Sequence, residues 1–282
     1  MTPKSIELAI AQRGWEVLEL PDSAPVFVVR ARLLEWLRRQ HPALESLEQY
    51  HALGLPEDNH IELVYELSKW YWEADLARTI ISANLELFRS FIGLDLHIQR
   101  YPYLRVVRRG HPSDASPMHR DTYYGASPYE ISVIIPFTEM DSSTALRVIS
   151  GSHLAADSEF PYTQSVSDDI AIGSQKHQLG YPYAPRLLDP ALKDRAEAVP
   201  LRVGQALIFP LSLVHGNTTA TGTGTRFSTD IRLVNSWAPV TWSRGVHTDY
   251  FVRLCESAIT SSVRRQLAKI ESATPNRENA TE

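Results

Sequence analysis

The sequence predicts a mainly β fold with flanking helices: a double-stranded β-helix, or jelly roll, buttressed by helices at both ends. Three observations carry this. Apolar residues keep helical spacing to about residue 93 and then change to strand-like spacing from about 95 to 235. The strand-like part is a series of short apolar runs with no helix between successive ones, which argues against a doubly wound parallel sheet. A closing amphipathic pattern covers about 249–270. One domain over 1–273 is expected, followed by a polar, disordered tail at 274–282.

In order, residues 5–30 read as a short helix and then a strand around Val26 to Val29, entered through Pro21 and Pro25. Leu33, Leu34, Trp36 and Leu37 fall on a helical stripe that stops before His41-Pro42, because the residue ahead of a proline disfavours helix. Another helical turn or two ends at the breakers Gly54 and Pro56. A long helical pattern follows from about Ile61 to Ile92 through Val64, Leu67, Tyr71, Leu76, Ile80, Phe88 and Phe91, with Gly93 as its cap. The cluster Trp70, Tyr71, Trp72 reads as core rather than a binding platform.

Segment 95–108 places Gln99, Tyr101, Tyr103 and Arg105 on one face of a strand, and Pro102 interrupts it as at an edge or bulge. Further strands are expected at Glu130 to Thr138, Ala145 to Ile149, Leu201-Arg202, Ala206 to Phe209, Leu213 to His215 and Arg226 to Val234. Residues 155–195 have no sustained period. They form an insertion suited to a lid, with Gly173 and Gly180 as hinges and Tyr162, Tyr181 and Tyr183 able to stack on a ring; a solvated loop is the competing reading. The closing helix presents Val252, Ile259, Val263, Leu267 and Ile270 on one face, capped by Thr248 or Asp249.

The 282 residues are 43% hydrophobic and 22% charged, with net charge −5, as in an ordinary globular protein with a sizeable core. The mildly acidic balance and the lack of a basic cluster give no reason to expect nucleic acid or an anionic membrane. Cys255 has no partner for an internal disulfide, which favours a reducing cytoplasm, and its apolar helical surroundings make it a packed residue. Neither a signal peptide nor an 18-residue apolar span is visible.

Ten histidines among 33 acidic residues give about one His-x-Asp/Glu by chance, so the motif alone is weak. Three occur: His60-Ile-Glu62, His119-Arg-Asp121 and His247-Thr-Asp249. His60 and Glu62 open a helical pattern, where positions two apart point about 200° around the axis. His247 precedes a helix and no histidine follows it. His119 and Asp121 lie among strand-like segments, where alternate side chains share a face, and His215 follows in another such segment. Two imidazoles and one carboxylate with the opposite face open suit a non-haem Fe(II) oxygenase. Arg226 and Ser228 also share a strand face, offering a guanidinium fork and a hydroxyl that together suit a carboxylate. A surface hydrogen-bonded pair at His119 and Asp121, and a structural ion pair of Arg226 with Asp230, are the plainer readings. Asp230 and Arg232 continue the Arg226 face and either reach the cavity or pair with each other.

The ordered set resembles the Fe(II)/2-oxoglutarate oxygenases, specifically the phytanoyl-CoA dioxygenase-like superfamily. It comprises His119-Arg-Asp121 with Tyr123-Tyr124, the segment Leu146 to His153 ending Gly-Ser-His, the Gly204 turn, and His215 with Arg226. The likeness covers about 97–235 and departs at Thr144, where the family often has glycine. It implies Fe(II) held by His119, Asp121 and His215, and the 2-oxoglutarate distal carboxylate held by Arg226 and Ser228. It also implies O₂ as oxidant, succinate and CO₂ as products, and a hydroxylated small molecule. Asp121 argues against halogenation, for which the family carries a small residue there; desaturation, cyclisation and epimerisation stay open. The run Asp121 to Gly125 with Ser127 to Glu130 is similar to members from carbohydrate and antibiotic-sugar gene clusters. A cupin-like isomerase or epimerase, and a non-catalytic binding protein on the same fold, are the alternatives.

Overall fold

The computed structural model describes residues 2–163, 170, 174–180, 187–240 and 249–273. Its strands are β1 (Glu16–Glu19), β2 (Leu96–Gln99), β3 (Tyr103–Val107), β4 (Ile131–Pro136), β5 (Leu146–Val148), β6 (Glu197–Val199), β7 (Gln205–Pro210), β8 (His215–Gly216), β9 (Arg226–Asn235) and β10 (Phe251–Cys255). Its α-helices are α1 (Pro3–Arg13), α2 (Ala24–Arg38), α3 (Glu57–Glu73), α4 (Leu76–Ala83), α5 (Leu85–Ile92), α6 (Gln175–Gln178) and α7 (Ala258–Ala273). The large sheet runs β1-β7-β4-β9-β2-β10, with β3 also paired to β9, and the small sheet runs β6-β5-β8. Every pairing between named strands is antiparallel, as the predicted jelly roll requires.

Strand period sorts the side chains of β9 onto two faces. Phe227, Ile231 and Leu233 join Val133 and Ile135 of β4 in a core that the N-terminal helices complete with Val29, Leu33, Leu67 and Phe88. Removing each such side chain from water contributes roughly 1.5–3 kcal/mol. On the other face, Ile134, Leu207 and Phe209 of the large sheet meet Leu146, Val148 and Val199 of the small one. The N-terminal helices thus cover the outside of the large sheet, and its inside faces the small sheet. Arg226, Ser228, Asp230 and Arg232 are buried on that inside face.

Three expectations are corrected. The strand around Val26 to Val29 is part of α2; the strand lies earlier, at β1. Pro25 sits in the first turn of α2, where a missing N–H costs nothing, and Val26, Val29, Leu33 and Leu37 bury one face at helical spacing. The single pattern from Ile61 to Ile92 is three helices, broken at Asp75, whose φ is +49°, and at Asn84. The Asn84 amide donates to Ile80 O and Asp22 O while its oxygen accepts from Asp22 N, so the side chain ties the break to the chain before α2. The closing helix begins at Ala258, not near Asp249: Val252 and Cys255 belong to β10, which pairs with β2. Ser257 caps α7, accepting from Thr260 N at 3.3 Å, and Asp249 instead pairs with Arg100. Ile259, Val263, Leu267 and Ile270 of α7 are exposed, and Cys255 is half-buried in the strand.

Other features follow the pattern reading. The turn before Gly54 is a 3₁₀ segment, Leu47–Leu53, with Gly54 left-handed at its end. Pro102 separates β2 from β3, and Gly93 ends α5. Strands β1 and β6 were not anticipated. Of the insertion at 155–195, residues 164–169, 171–173 and 181–186 lie outside the described residues, as do His247, Thr248 and the tail 274–282. No described helix is long and apolar enough to cross a membrane.

His60 illustrates the cost of burying a titratable group inside the helical layer. It is fully buried on α3 with Nδ1 3.0 Å from Tyr50 Oη, and burial together with the Arg108 charge lowers its pKa to about 4. Between pH 6.5 and about 4 the unfolded chain binds a proton that the folded His60 does not, so stability falls as pH falls. Denaturant titrations across that window should show a slope contribution of at most roughly 1.4 kcal/mol per pH unit that disappears in His60→Gln. An unchanged slope would show that His60 is protonated in the fold.

Candidate metal centre

The centre is built on the small sheet. His119 forms an antiparallel bridge with His215, through His119 N to His215 O and His215 N to His119 O, both 2.9 Å. Across β8, His215 pairs with Val148 of β5. This close approach needs the glycine that follows: a Cβ on Gly216 would lie 2.7 Å from Ser116 O and 3.0 Å from Met118 Cα. Asn217 completes the clamp, its N–H donating to Ser116 O at 2.8 Å and its side-chain oxygen accepting from Ser116 N.

The extended backbone assumed for His119-Arg120-Asp121 is present at Arg120, with φ −110° and ψ 140°, after which a 3₁₀ turn begins at Asp121. Arg120 projects to the opposite side, donating to Asp157 Oδ1 (2.5 Å), Ser152 O (2.5 Å) and Ala155 O (2.9 Å). His119 and Asp121 therefore share one side, with Nε2 of the first 3.3 Å from Oδ1 of the second. Donor atoms of His119, Asp121 and His215 all lie within 4.8 Å of one another.

Protonation makes this set fit a cation. Nδ1 of His119 is 2.7 Å from Pro117 O, and Nδ1 of His215 is 3.0 Å from Leu213 O. A carbonyl only accepts, so both Nδ1 atoms carry a hydrogen and each Nε2 is the ring nitrogen left to face a cation. Burial, helped by neighbouring His119, lowers the pKa of His215 to about 4 and keeps it neutral. Burial raises the pKa of Asp121, but Arg232 and the histidines outweigh it, so the carboxylate is held well below its usual range. Two imidazole nitrogens and one carboxylate oxygen converging on a point are what a divalent metal of the iron type requires.

The adjoining cavity is lined by Arg105, His119, His215, Arg226, Ser228 and Asp230, with Ile134, Leu146 and Leu179 as apolar walls. Arg226 donates from Nη1 to Thr144 O at 2.8 Å, while its buried Nε has no partner among the described residues. Burial, then the Arg105 charge, lowers its pKa to about 10, so it stays a cation at neutral pH. A cation with an unused donor beside a hydroxyl on a cavity wall suits an incoming carboxylate. Thr144, the departure from the family pattern, holds Arg226 through its backbone oxygen, which any residue supplies.

Asp230 and Arg232 do both things left open: Arg232 pairs with Asp230 and also reaches Asp121, 2.6 Å from Nη2 to Oδ2. The contact to Asp121 was not anticipated, and the shared β9 face was the only signal for it. Of the alternating set on β2 and β3, Arg105 lines the cavity, Tyr103 has the guanidinium of Arg105 4.9 Å from its ring, Gln99 accepts from Arg232 N, and Tyr101 packs edge-on against Trp72. Tyr162 stacks on Tyr123, ring centres 3.9 Å apart, so an intramolecular partner takes the face proposed for a substrate ring. His153 sits against Gly14 after its turn, and His60 lies in the helical layer. Sequence reasoning also missed Asp114, which lines the cavity and accepts from Arg108 Nε at 2.9 Å and Nη2 at 2.8 Å.

The family profile of phytanoyl-CoA dioxygenase (PhyH) matches residues 71–228, more than half of the chain and a span that includes all five singled-out residues. The chain belongs to the PhyH family. Among solved structures, the non-heme monooxygenase ThoJ in its apo form superposes with a TM-score of 0.56 over 95% of each chain at 19% identity. The ThoJ–Ni complex gives 0.55 at 18% identity, over 95% of this chain and 100% of that one. SnoK, a non-heme alpha-ketoglutarate-dependent carbocyclase from nogalamycin biosynthesis, gives 0.54 at 12% identity, over 90% of this chain and 99% of that one. At these identities the likeness is one of fold. No curated protein sequence matches closely.

Anaerobic Fe(II) titration of this PhyH-family chain should reveal one tight site that is lost in His119→Ala and in His215→Ala but kept in His60→Gln. Tight binding surviving either alanine variant would place the metal elsewhere.

Proposed function

We propose that the protein is an Fe(II)- and 2-oxoglutarate-dependent dioxygenase that hydroxylates an unactivated C–H bond of a small-molecule substrate. One observation carries the reading: ring nitrogens of His119 and His215 and a carboxylate oxygen of Asp121 converge beside a cavity whose wall holds the cationic Arg226 and Ser228. An isomerase on the same fold has no need of a carboxylate receptor beside its metal, and a binding protein has no need of the donor set.

In this reading His119, Asp121 and His215 hold Fe(II), and Arg226 with Ser228 binds the distal carboxylate of 2-oxoglutarate. When iron, 2-oxoglutarate and O₂ are bound, oxidative decarboxylation to succinate and CO₂ supplies the oxidant for the substrate C–H bond. The protein's own work is positioning and exclusion of water. Pro117 O and Leu213 O keep the imidazoles in the ligating tautomer. Thr144 O aims Arg226. Leu179 and Gly180 close the cavity beside β3, where Arg105 donates to Leu179 O at 3.2 Å and also to Gly180 O. Asp121 fills the position that halogenation would need for a halide, so hydroxylation is preferred. A sugar or other natural-product intermediate is the proposed substrate, supported by the run from Asp121 to Glu130, and the cytoplasm is the proposed compartment, supported by the lone thiol of Cys255.

With Fe(II), ascorbate and O₂ but no added substrate, slow conversion of 2-oxoglutarate to succinate is expected. Arg226→Ala should raise the 2-oxoglutarate concentration needed by about ten- to a hundredfold with iron affinity kept, because it removes a charge-assisted contact worth roughly 1.5–3 kcal/mol. Ser228→Ala should cost about 1 kcal/mol. Absence of succinate from the metal-loaded parent would refute the dioxygenase assignment, and unaltered 2-oxoglutarate dependence in Arg226→Ala would refute the carboxylate receptor.

A further inference from the structure

The two oxygens of Asp121 sit in opposite settings. Oδ1 lies 3.3 Å from Nε2 of His119, on the side where the imidazoles converge. Oδ2 accepts from Nη2 of Arg232 at 2.6 Å. Arg232 is only 3% exposed, so the contact is shielded from water on the guanidinium side. Its Nη1 donates to Ser132 Oγ at 2.8 Å and to Asp230 Oδ1, and Ser132 Oγ donates to the same Asp230 oxygen at 2.8 Å. Backbone N–H of Arg232 is held by Gln99 Oε1 at 3.2 Å. Strand register fixes the set, since Asp230 and Arg232 are two apart on β9 and Ser132 of β4 lies directly opposite Arg232.

A buried guanidinium beside a divalent-cation site is an unfavourable neighbour unless its charge is offset. Asp230 supplies the offset, and Arg105 lies 3.8 Å beyond it at Asp230 Oδ2. Such an arrangement is costly if all it does is join two sheets, because an apolar side chain of similar volume would do that as well. What an apolar side chain could not do is occupy one carboxylate oxygen. A carboxylate beside a metal can bind through one oxygen or through both. An octahedral ion has six positions: three protein donors, a chelating 2-oxo acid and O₂ fill them all. A fourth protein donor, the second oxygen of Asp121, would take a position that the 2-oxo acid or O₂ requires.

We propose that Arg232, with Asp230 as its counter-ion, is a positioning residue that restricts Asp121 to one metal-facing oxygen and so keeps room for the chelating 2-oxo acid. This rests on the proposed metal site at His119, Asp121 and His215. The residue does not touch the reacting atoms. It acts through Asp121.

The test replaces both buried charges together, Asp230→Asn with Arg232→Met, so that neither is left unpaired and the Ser132 hydroxyl keeps an acceptor. Co(II) stands in for iron, and three quantities are read: Co(II) affinity, 2-oxoglutarate affinity of the Co(II) protein, and the visible Co(II) spectrum. The double variant should bind Co(II) as tightly as the parent or more tightly and bind 2-oxoglutarate about ten- to a hundredfold more weakly, with an altered Co(II) spectrum before 2-oxoglutarate is added. The conservative Arg232→Lys, which keeps a cation and a donor, should recover most of the 2-oxoglutarate affinity. Joint loss of Co(II) and 2-oxoglutarate binding with a lowered Tm would overturn the proposal in favour of a structural strut, and parental 2-oxoglutarate affinity in the double variant would overturn it outright. A parent that binds no Co(II) would overturn the metal-site reading as well, which separates that failure from the failure of this inference alone.

Discussion

Four polar side chains on the inside of one strand set the terms for the rest of the structure. Arg226, Ser228, Asp230 and Arg232 are all buried on β9, in the space between two sheets that elsewhere meet through Ile134, Leu207, Phe209, Leu146 and Val148. Burying an unpaired charge costs several kcal/mol, so each group must find a partner or a ligand. Arg232 finds Asp121 and Asp230; Asp230 also finds Ser132; Arg226 finds Thr144 O, and its Nε has no partner among the described residues. The fold can carry this row because the opposite face of β9, with Phe227, Ile231 and Leu233, is anchored in the largest apolar core.

The second constraint is backbone proximity. His119 and His215 are more than ninety residues apart in sequence, yet they exchange a pair of backbone hydrogen bonds that fixes their rings 4.5 Å apart, centre to centre. Gly216, Asn217 and Ser116 extend that contact, and Arg108 gripping Asp114 ties the approach loop to α3 through Glu57. The small sheet thus delivers the imidazoles, the large sheet delivers the Arg226 row, and Asp121 touches both. A donor set assembled in this way suits the proposed site, whose metal would have to present open positions before its reactants arrive.

Much of the centre was legible in the sequence because strand periodicity is local. His119 and Asp121 share a side across the extended Arg120, Arg226 and Ser228 share a face of β9, and their order along the chain together with the family resemblance pointed to one site. Arg232 on Asp121 was not legible, since a long-range contact between two faces depends on how the sheets stack. Val26 to Val29 were misread because β-branched residues after prolines favour a strand, whereas burial at every third or fourth position won in the fold. The start of α7 was misread for the opposite reason: Val252 fits a helical stripe with Ile259 and Val263, but β2 offered an unpaired edge that captured 251–255. Tyr162 was offered to a substrate and is stacked on Tyr123, a partner that no local pattern encodes.

In the proposed function, one cavity holds a metal through His119, Asp121 and His215 while leaving adjacent positions for a 2-oxo acid anchored at Arg226. Chelation of a 2-oxo acid to Fe(II) produces a weak visible charge-transfer band that neither component shows alone. Recorded anaerobically, the band should appear only when the protein, Fe(II) and 2-oxoglutarate are all present, and it should vanish in His215→Ala at the same concentrations. A parent protein that binds both components and shows no such band would contradict the shared site, because metal and oxo acid would then occupy separate places.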